Sequence, residues 1–586
     1  MKVKNMYKKP LYDTRQITDL RDMIMGSVEM YADKTAFLTK PVKGKPYVPV
    51  TYKEYGDDLK AFGSKLLEMG LGKDKKVAIL AETRYEWYVS YLAVVTGLAV
   101  IVPLDKELPP EEINLMLKRA NCNSIIYSNT LREKVLEAAK GVESLESFIL
   151  MDYYKNEVEP FTVRDTEPDL PKEYSFTYLV NEGQKLLDNN YRDYLDCDID
   201  VDEMRILLFT SGTTSRSKAV MHSHHTISTN LISMVSMIHI GDDTVLSILP
   251  IHHTYECTCD FLCQVYKGNT IAECEGLRHI PANLKESETT LLLGVPLILE
   301  TFHKRIWRNI DKQGKREQVE FALKLTRALR KIGIDLRKKM FKDIHAALGG
   351  HLRLIIAGGA AIDPQVLADF DDFGILALQG YGLTECGPIL ALNRDIHNSY
   401  RSAGLPLPGT EAEVVDPDEN GIGEFRSRGE NVMLGYYGDP ELTAETLKDG
   451  WFYTGDYGFI DEEGFLIITG RKKNVIVTKN GENVFPEELE ALINRNPEVA
   501  ESIVSSAAGR NGDMEIAIEI YPDAEALKEH FGNDDYTDEE VLDLMQELVR
   551  EFNSKQPLYK RIKNVSIRHQ PFKKSTSQKI VRNYSK

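Results

Sequence analysis

The sequence is poor in the features that mark secreted, membrane-spanning and nucleic-acid-binding proteins. It has only seven cysteines in 586 residues, an odd number that does not indicate a disulfide framework. No run approaches the roughly 20 apolar residues of a membrane-spanning helix, and the first residues lack the apolar core of a secretory signal. Basic residues number 72 against 90 acidic ones, and the net charge of −18 disfavours nonspecific binding to nucleic acid. We therefore expect a cytoplasmic protein that does not bind nucleic acid.

Four of the cysteines lie near one another in the sequence, at Cys257, Cys259, Cys263 and Cys274. A zinc site usually has paired C-x-x-C spacing, which this stretch lacks. Free cysteines are otherwise among the most buried residues of globular proteins. We therefore expect these thiols to pack in the protein core.

At 586 residues the chain is too long for one hydrophobic core, so we expect two or more domains. In the N-terminal region, apolar residues at helical spacing predict a helix over 59–67. Apolar runs predict strands over 77–80 and 99–103, with a helix over 87–95 between them. Such alternation is typical of a parallel sheet with crossover helices, and we interpret this region as scaffold.

The central stretch of the sequence combines a strand with a loop rich in hydroxyl groups. Residues 206–209 are apolar, as in a buried strand, and Ser223 is a good N-cap for a following helix. Between them lie Thr210, Ser211, Gly212, Thr213, Thr214, Ser215 and Lys218. Backbone N–H groups, hydroxyls and an ammonium group together bind phosphate, although ordinary surface loops share this composition. The loop is not a P-loop, because Ser217 and Ala219 flank the lysine.

Two later segments follow apolar runs that are typical of strands. The first is Gly358, Gly359 and Ala360, where small residues let a flat ring or an acyl chain approach the backbone. The second is Gln379, Gly380, Tyr381, Gly382, Leu383, Thr384 and Glu385. By their chemistry, Tyr381 is suited to stacking on a purine and Thr384 to donating to a phosphate oxygen. Glu385 is a hard oxygen ligand suited to Mg²⁺.

These segments resemble the motifs of the adenylate-forming superfamily, which includes acyl-CoA synthetases, firefly luciferase and the adenylation domains of peptide synthetases. The matching segments are TSGTT at 210–214, YGLTE at 381–385, YTGD at 453–456 and GRKKN at 470–474. The resemblance implies an α/β fold. Residues 1–470 would form a large N-terminal domain of parallel-sheet subdomains with a small β-rich portion near 400–470. Residues 471–586 would form a small mobile α+β C-terminal domain.

The resemblance also implies roles for residues of the N-terminal domain. His253 matches a position beside the substrate carboxylate, as a gate or pocket wall; the alternative is an ordinary core histidine. Lys218 and the loop before it would hold the departing pyrophosphate. Asp456 would accept hydrogen bonds from the ribose hydroxyls, which suits a carboxylate with two acceptor oxygens. Arg471, the first residue of the C-terminal domain, also matches a ribose-binding residue.

Three further residues of the C-terminal domain match functional positions of the superfamily. Lys473 corresponds to the hinge about which this domain turns. Gly481 lies in a hairpin that would enter the site for the second half-reaction and line the pantetheine tunnel. Lys579 corresponds to the catalytic lysine. Spacing alone also allows Lys574, and alignment of residues 579–582 with the superfamily decides for Lys579.

The implied reaction has two steps and uses ATP, Mg²⁺ and coenzyme A. A carboxylate and ATP first give an acyl-adenylate and pyrophosphate, and the acyl group then passes to the coenzyme A thiol. No general base is needed, because a carboxylate is already ionised at pH 7. Transfer to an acyl-carrier protein is one alternative. An acyl/AMP-binding regulator without turnover is another, suggested by Ser215, Ser217 and Ala219, where the superfamily usually has Gly, Pro and Gly.

A strongly basic helical stretch points to a subfamily. Residues 303–345 contain 14 Lys/Arg and 5 Asp/Glu, inside an acidic protein. This stretch, within 296–360, resembles long-chain fatty acid acyl-CoA synthetases more than activators of acetate, luciferin or amino acids. Two interpretations are open: a solvated helix pair, or a basic face that meets an anionic membrane surface. The second would place the protein peripherally on the inner face of the membrane.

Overall fold

A computed structural model describes residues 9–151, 161–210, 217–478, 482–508, 514–574 and 580–582. The chain divides into two compact units. The larger consists of Lys2–Glu411 and Arg428–Phe452, and the smaller of Ala412–Ser427 and Tyr453–Lys586. In the ranges that the structure describes, no helix has the length and apolar character needed to cross a bilayer.

The strands are numbered in chain order over the described residues. They are β1 (Thr35–Thr39), β2 (Val48–Thr51), β3 (Lys76–Leu80), β4 (Val100–Pro103), β5 (Ser124–Ser128), β6 (Ser147–Met151), β7 (Val163–Arg164), β8 (Glu173–Ser175), β9 (Met204–Thr210), β10 (Lys218–Ser223), β11 (Thr244–Ser247), β12 (Thr270–Glu273), β13 (Leu291–Gly294), β14 (Leu354–Ala357), β15 (Leu376–Gly382), β16 (Ile389–Leu392), β17 (Leu405–Pro406), β18 (Glu411–Val415), β19 (Gly423–Arg428), β20 (Gly435–Tyr436), β21 (Leu447–Lys448), β22 (Trp451–Ile460), β23 (Leu466–Arg471), β24 (Ile476–Val477), β25 (Asn483–Val484), β26 (Val499–Ala508), β27 (Met514–Pro522) and β28 (Ile562–Ile567).

The α-helices are numbered in the same way, and a π-helix covers Tyr255–Leu262. They are α1 (Leu20–Met30), α2 (Tyr52–Glu68), α3 (Tyr85–Thr96), α4 (Pro110–Ala120), α5 (Arg132–Ala139), α6 (Phe176–Asp188), α7 (Asp193–Asp196), α8 (His224–Val235), α9 (Cys263–Lys267), α10 (Ile280–Glu286), α11 (Pro296–Lys312), α12 (Arg316–Arg330), α13 (Arg337–Met340), α14 (Lys342–Ala347), α15 (Pro364–Phe373), α16 (Pro440–Thr446), α17 (Pro486–Ile493), α18 (Ala524–Phe531) and α19 (Asp538–Ser554).

Two nine-stranded sheets form the larger unit. One has the order β17-β16-β15-β14-β13-β11-β12-β1-β2, and its strands from β15 to β1 run parallel. The other has the order β20-β10-β9-β4-β3-β5-β6-β8-β7 and is parallel from β9 to β8. Their central strands are almost continuously apolar and buried, as expected for parallel strands covered on both faces.

The smaller unit is α+β. Strands β18, β19, β22 and β23 belong to one sheet, and β24 pairs with β25 as an antiparallel hairpin. Strand β27 pairs antiparallel with β26 and parallel with β28, and α17 and α19 pack on this three-stranded sheet. The predicted α/β fold class is confirmed. The β-rich portion near residues 400–470 is present, but residues 412–427 and 453–470 belong to the smaller unit, whereas the resemblance placed them in the large N-terminal domain.

Most predicted elements are present. Helix α2 begins with a capping box of Thr51 and Glu54, and Ser223 caps α8 as expected. The thiols of Cys257, Cys259 and Cys263 are buried, but Cys274 is only half-buried, so the core prediction is wrong for Cys274. The sequence interpretation also missed β10, because six residues of mixed polarity give no clear period.

Candidate active site

Four adjacent parallel strands gather most of the predicted site residues of the larger unit. Strands β11, β13, β14 and β15 are neighbours in that order. Beyond their carboxyl ends the chain reaches His253 after β11, Gly358, Gly359 and Ala360 after β14, and Thr384 and Glu385 after β15. Ligands of open α/β sheets bind at this edge of the strands. The fold therefore brings these three segments to one edge.

A tyrosine that the sequence analysis missed connects two of the predicted residues. The Tyr436 hydroxyl donates to Glu385 Oε1 at 2.8 Å, and Glu385 is largely buried. Lys218 Nζ lies 3.4 Å from the same hydroxyl and 5.0 Å from the centre of the ring. Burial and the nearby Glu385 carboxyl raise the pKa of Tyr436, so its hydroxyl stays protonated and can donate. The Tyr436 hydroxyl therefore contacts both the Glu385 carboxylate and the Lys218 ammonium group.

The histidine His222 supports Thr384 from β10. Its Nε2–H donates to the Thr384 carbonyl at 2.7 Å, and Nδ1 lies 3.0 Å from the Thr226 hydroxyl. Burial lowers the pKa of His222 to about 4, so the ring is neutral at pH 7. This hydrogen bond fixes the backbone of Thr384 and so helps to position its side chain.

Two buried asparagines hold the chain just after Glu385. Asn230 Nδ2 donates to the Ile389 carbonyl at 2.7 Å, and Asn431 Nδ2 donates to the Cys386 carbonyl at 2.9 Å. Both amides are almost completely buried. Sequence reasoning had no means to find them, because their partners lie 159 and 45 residues away.

The run Gln379–Gly382 lies on β15, and steric contact explains why a glycine stands at position 382. A Cβ on Gly382 would lie 2.0 Å from the Pro388 carbonyl oxygen, so only glycine fits this turn of the chain. The Gln379 carbonyl accepts from the backbone N–H and the side-chain amide of Asn393, at 3.0 Å each. Gly380 and Tyr381 pair with Leu392 and Ala391 of β16. The motif therefore continues a strand before it reaches Thr384.

An aromatic ring fills the space above the Gly358 segment. Tyr255 Oη donates to the Ile356 carbonyl at 2.8 Å, and a Cβ on Gly358 would lie 2.6 Å from the Tyr255 ring. His253 Nδ1 accepts from the Tyr255 backbone N–H at 3.2 Å. The half-buried His253 and the Gly358 segment therefore share one neighbour, Tyr255, which sequence reasoning did not single out.

In the smaller unit, two predicted residues meet across a strand pair. Asp456 on β22 faces Arg471 on β23, and Arg471 Nε lies 3.0 Å from Asp456 Oδ1. The Asp456 side chain is 4% exposed and that of Arg471 46%. Lys473 lies in the single turn Lys472–Asn474 that follows β23. A buried carboxylate beside an accessible guanidinium is suited to a vicinal diol.

Seven predicted residues lie outside the described residues. They are Ser211, Gly212, Thr213, Thr214, Ser215, Gly481 and Lys579. The flanks of the last one are described: Val581 N–H donates to the Lys573 carbonyl at 2.8 Å, and Lys574 Nζ lies 2.5 Å from the largely buried carboxylate of Glu501. Lys574, which spacing alone allowed as a catalytic lysine, is therefore engaged in a structural ion pair.

Residues 26–437 match the model of a family described as AMP-binding enzyme, and residues 473–585 match that of the AMP-binding enzyme C-terminal domain. A long-chain-fatty-acid–CoA ligase of Escherichia coli is 28% identical over 523 residues, 86% of this chain and 85% of its own. A chloroplastic long-chain-fatty-acid–[acyl-carrier-protein] ligase of Arabidopsis thaliana is 27% identical over 550 residues, 82% of this chain and 74% of its own.

Two solved structures have the same fold. The first is an anthranilate CoA ligase in complex with anthranoyl-AMP, with a TM-score of 0.72 at 18% identity, covering 98% of this chain and 96% of its own. The second is ATP-bound MatB from Rhodopseudomonas palustris, with a TM-score of 0.72 at 23% identity, covering 96% of this chain and 97% of its own.

Proposed function

Since the chain belongs to the AMP-binding enzyme family, we propose that it is a long-chain fatty acid–CoA ligase that forms an acyl-adenylate intermediate. The observation that carries the proposal is the alignment with the Escherichia coli ligase over most of both chains. The grouping of Lys218, Thr384 and Glu385 around Tyr436 and His222 supports phosphate chemistry at the strand edge.

In the first step, a fatty acid carboxylate oxygen attacks the α-phosphorus of ATP, and the bond to the bridging β-phosphate oxygen breaks. Lys218 and the loop from Thr210 hold the departing pyrophosphate. The Thr384 hydroxyl donates to a phosphate oxygen, and Lys579 balances the negative charge that builds between carboxylate and α-phosphate. Tyr381 stacks on the adenine.

Glu385 is the residue that would hold Mg²⁺. Its carboxylate fits this ion because it is a hard oxygen ligand whose position is fixed by the Tyr436 hydroxyl. When bound, Mg²⁺ neutralises charge on the ATP phosphates. Lys218 Nζ lies 3.4 Å from the same hydroxyl, so a phosphate oxygen near Glu385 would also lie near a positive charge.

Asp456 and Arg471 bind the ribose. In the second step the coenzyme A thiol attacks the acyl carbonyl, forming the thioester and releasing AMP. We place the boundary of the mobile domain at Gly470 and its hinge at Lys473. Rotation there withdraws Lys579 and presents the hairpin around Gly481 to the pantetheine arm. The glycines at 358 and 359, with Ala360 and His253, line the site of the acyl group.

The acceptor in the second step separates two versions of this proposal. Coenzyme A is favoured by the Escherichia coli relative, and an acyl-carrier protein by the relative from Arabidopsis thaliana. Pyrophosphate release that depends on coenzyme A supports the first; release that depends on a carrier protein supports the second. We place the enzyme in the cytoplasm, with peripheral contact to the inner face of the membrane.

The half-reactions can be tested separately with Lys579→Ala. This change should lower adenylation by about 100-fold or more, since it removes charge stabilisation from the first transition state. It should spare thioester formation from supplied acyl-AMP and coenzyme A. Lys573→Ala, at an exposed lysine nearby, serves as the matched control.

Equal loss of both half-reactions in the Lys579 variant would contradict a domain that serves the two steps in turn. Binding of acyl-AMP by the wild-type protein without turnover in either assay would favour the alternative of an acyl/AMP-binding regulator.

A further inference from the structure

Three arginines of the basic helical stretch form ion pairs within the protein. On α12, Arg327 pairs with Asp372 and Arg330 Nη1 lies 3.0 Å from Asp371 Oδ2, both partners belonging to α15. Arg337 also reaches Asp371 and lies 2.7 Å from Asp335. These ion pairs fasten the stretch to the larger unit. The local excess of positive charge is therefore smaller at the surface than the sequence count suggests.

Four lysines of the same stretch are exposed. Lys324 lies on α12, Lys331 follows its last residue, and Lys338 and Lys339 lie on α13. In the part of the chain that the structure describes, none of these four ammonium groups forms an ion pair with a carboxylate. They are positive charges available to a partner.

Large apolar side chains are exposed beside these lysines. Phe321 is 67% exposed and Leu325 39%, and their spacing of four residues places them on one face of α12. Ile332, at 70% exposure, lies in the turn just after the helix. Leu323, at 6% exposure, lies on the opposite face, which packs against the protein. Ile334, at 45% exposure, continues the exposed series beyond the helix. Two large apolar side chains of α12 are thus exposed among its charged residues, although the helix already buries an apolar face.

We propose that this outer surface, formed by Phe321, Lys324, Leu325, Lys331, Ile332 and Ile334, docks the protein on an anionic lipid bilayer. Lysines beside large exposed apolar side chains, here on α12 and the segment just after it, are the pattern of segments that lie in the membrane interface. The apolar groups enter the headgroup boundary and the ammonium groups meet anionic lipids. The protein as a whole carries −18, so attraction to an anionic surface depends on such a local positive patch.

The positive charge of this surface disfavours a second copy of the chain as its binding partner. Two copies joined through this surface would bring unpaired lysines face to face, and like charges at close range repel. The role of the surface rests on the proposed function, because long-chain fatty acids partition into bilayers and docking would place the enzyme beside its substrate. The binding itself does not depend on that function.

The test is co-sedimentation of the full chain with vesicles of phosphatidylcholine alone or with 30% phosphatidylglycerol. We expect binding to the anionic vesicles that weakens in salt. Lys324→Gln with Lys331→Gln should lower the partition coefficient about tenfold or more, since each lysine near an anionic surface contributes roughly a fivefold gain. Phe321→Ser with Ile332→Ser should also weaken binding. Leu115→Ser, at 66% exposure on α4, is the matched control and should bind as the wild type does.

Equal binding to both vesicle types, or unchanged binding by both double variants, would overturn the proposal. Retention on an immobilised acyl-carrier protein without vesicle binding would also overturn it, in favour of an acidic protein partner. Ligase activity on an acid dissolved below its micelle concentration is measured in parallel. Vesicle binding without ligase activity would contradict the proposed function but support the docking surface. Ligase activity without vesicle binding would support the proposed function but contradict the docking surface.

Discussion

At the scale of single residues, one hydroxyl that no motif identified contacts two residues of the candidate site. Glu385 and Lys218 were predicted from their chemistry and from YGLTE and TSGTT. Tyr436 was not predicted, because it lies 51 residues from Glu385 and 218 from Lys218. A sequence shows which side chains have suitable chemistry. It does not show which distant hydroxyl fixes them.

Removal of this hydroxyl gives the residue-scale prediction. Tyr436→Phe should raise the Mg²⁺ concentration needed for half-maximal pyrophosphate release about tenfold. Glu385 would lose a hydrogen bond to a charged group, typically worth roughly 1.5–3 kcal/mol. The measurement is the release rate against Mg²⁺ at saturating ATP and fatty acid.

The neighbouring tyrosine provides the control. Tyr437 packs its ring beside Lys76, whose Nζ lies 5.3 Å from the ring centre. Tyr437→Phe should leave the Mg²⁺ dependence unchanged. An identical Mg²⁺ response in the wild type and the Tyr436 variant would show that the hydroxyl does not position Glu385.

At the scale of elements, strand β10 positions two residues of the candidate site. Alternation along a strand places Lys218 and His222 on one face, where Lys218 contacts the tyrosine that holds Glu385 and His222 contacts Thr384. The sequence predicted the strand before this segment and the helix after it correctly, since a long apolar run and an N-cap are strong local features. Strand β10 pairs with β9 and β20, and such pairing is not visible in a local pattern.

The buried His222 gives a pH-dependent prediction for this element. Its pKa of about 4 in the folded state lies below the ordinary value of about 6.5 in the unfolded chain, so acid favours unfolding. Above pH 6.5 His222 is neutral in both the folded and the unfolded chain, and the free energy of unfolding has its full value. As the pH falls from 6.5 toward 4, His222 is protonated in the unfolded chain first, and the free energy of unfolding decreases. His222→Gln, which keeps an N–H for the Thr384 carbonyl, lacks this loss.

Denaturant unfolding at pH 7.5 and pH 5 provides the measurement. The deficit in unfolding free energy of His222→Gln relative to the wild type should shrink by about 2 kcal/mol at the lower pH. A deficit that stays constant between the two pH values would mean that His222 does not remain neutral in the folded protein.

At the scale of the whole molecule, the sequence predicted the fold class and the α+β character of the C-terminal part. It did not predict that the segments with His253, Gly358 and Thr384 meet at one strand edge. The predicted features follow from repeated local patterns and from motifs whose order along the chain is informative. Residues that act through partners far along the chain, such as Asn230 and Asn431, were not predictable. The division of the basic stretch into ion-paired arginines and exposed lysines also depends on packing in three dimensions, which the sequence does not show.

The measurement that tests the central claim most directly is pyrophosphate release from ATP across carboxylates from acetate to oleate, with benzoate included, with and without coenzyme A. The account predicts strong turnover on C12–C18 acids that depends on coenzyme A. The absence of pyrophosphate release with every acid, under conditions where the protein is folded and binds ATP, would contradict the proposed function.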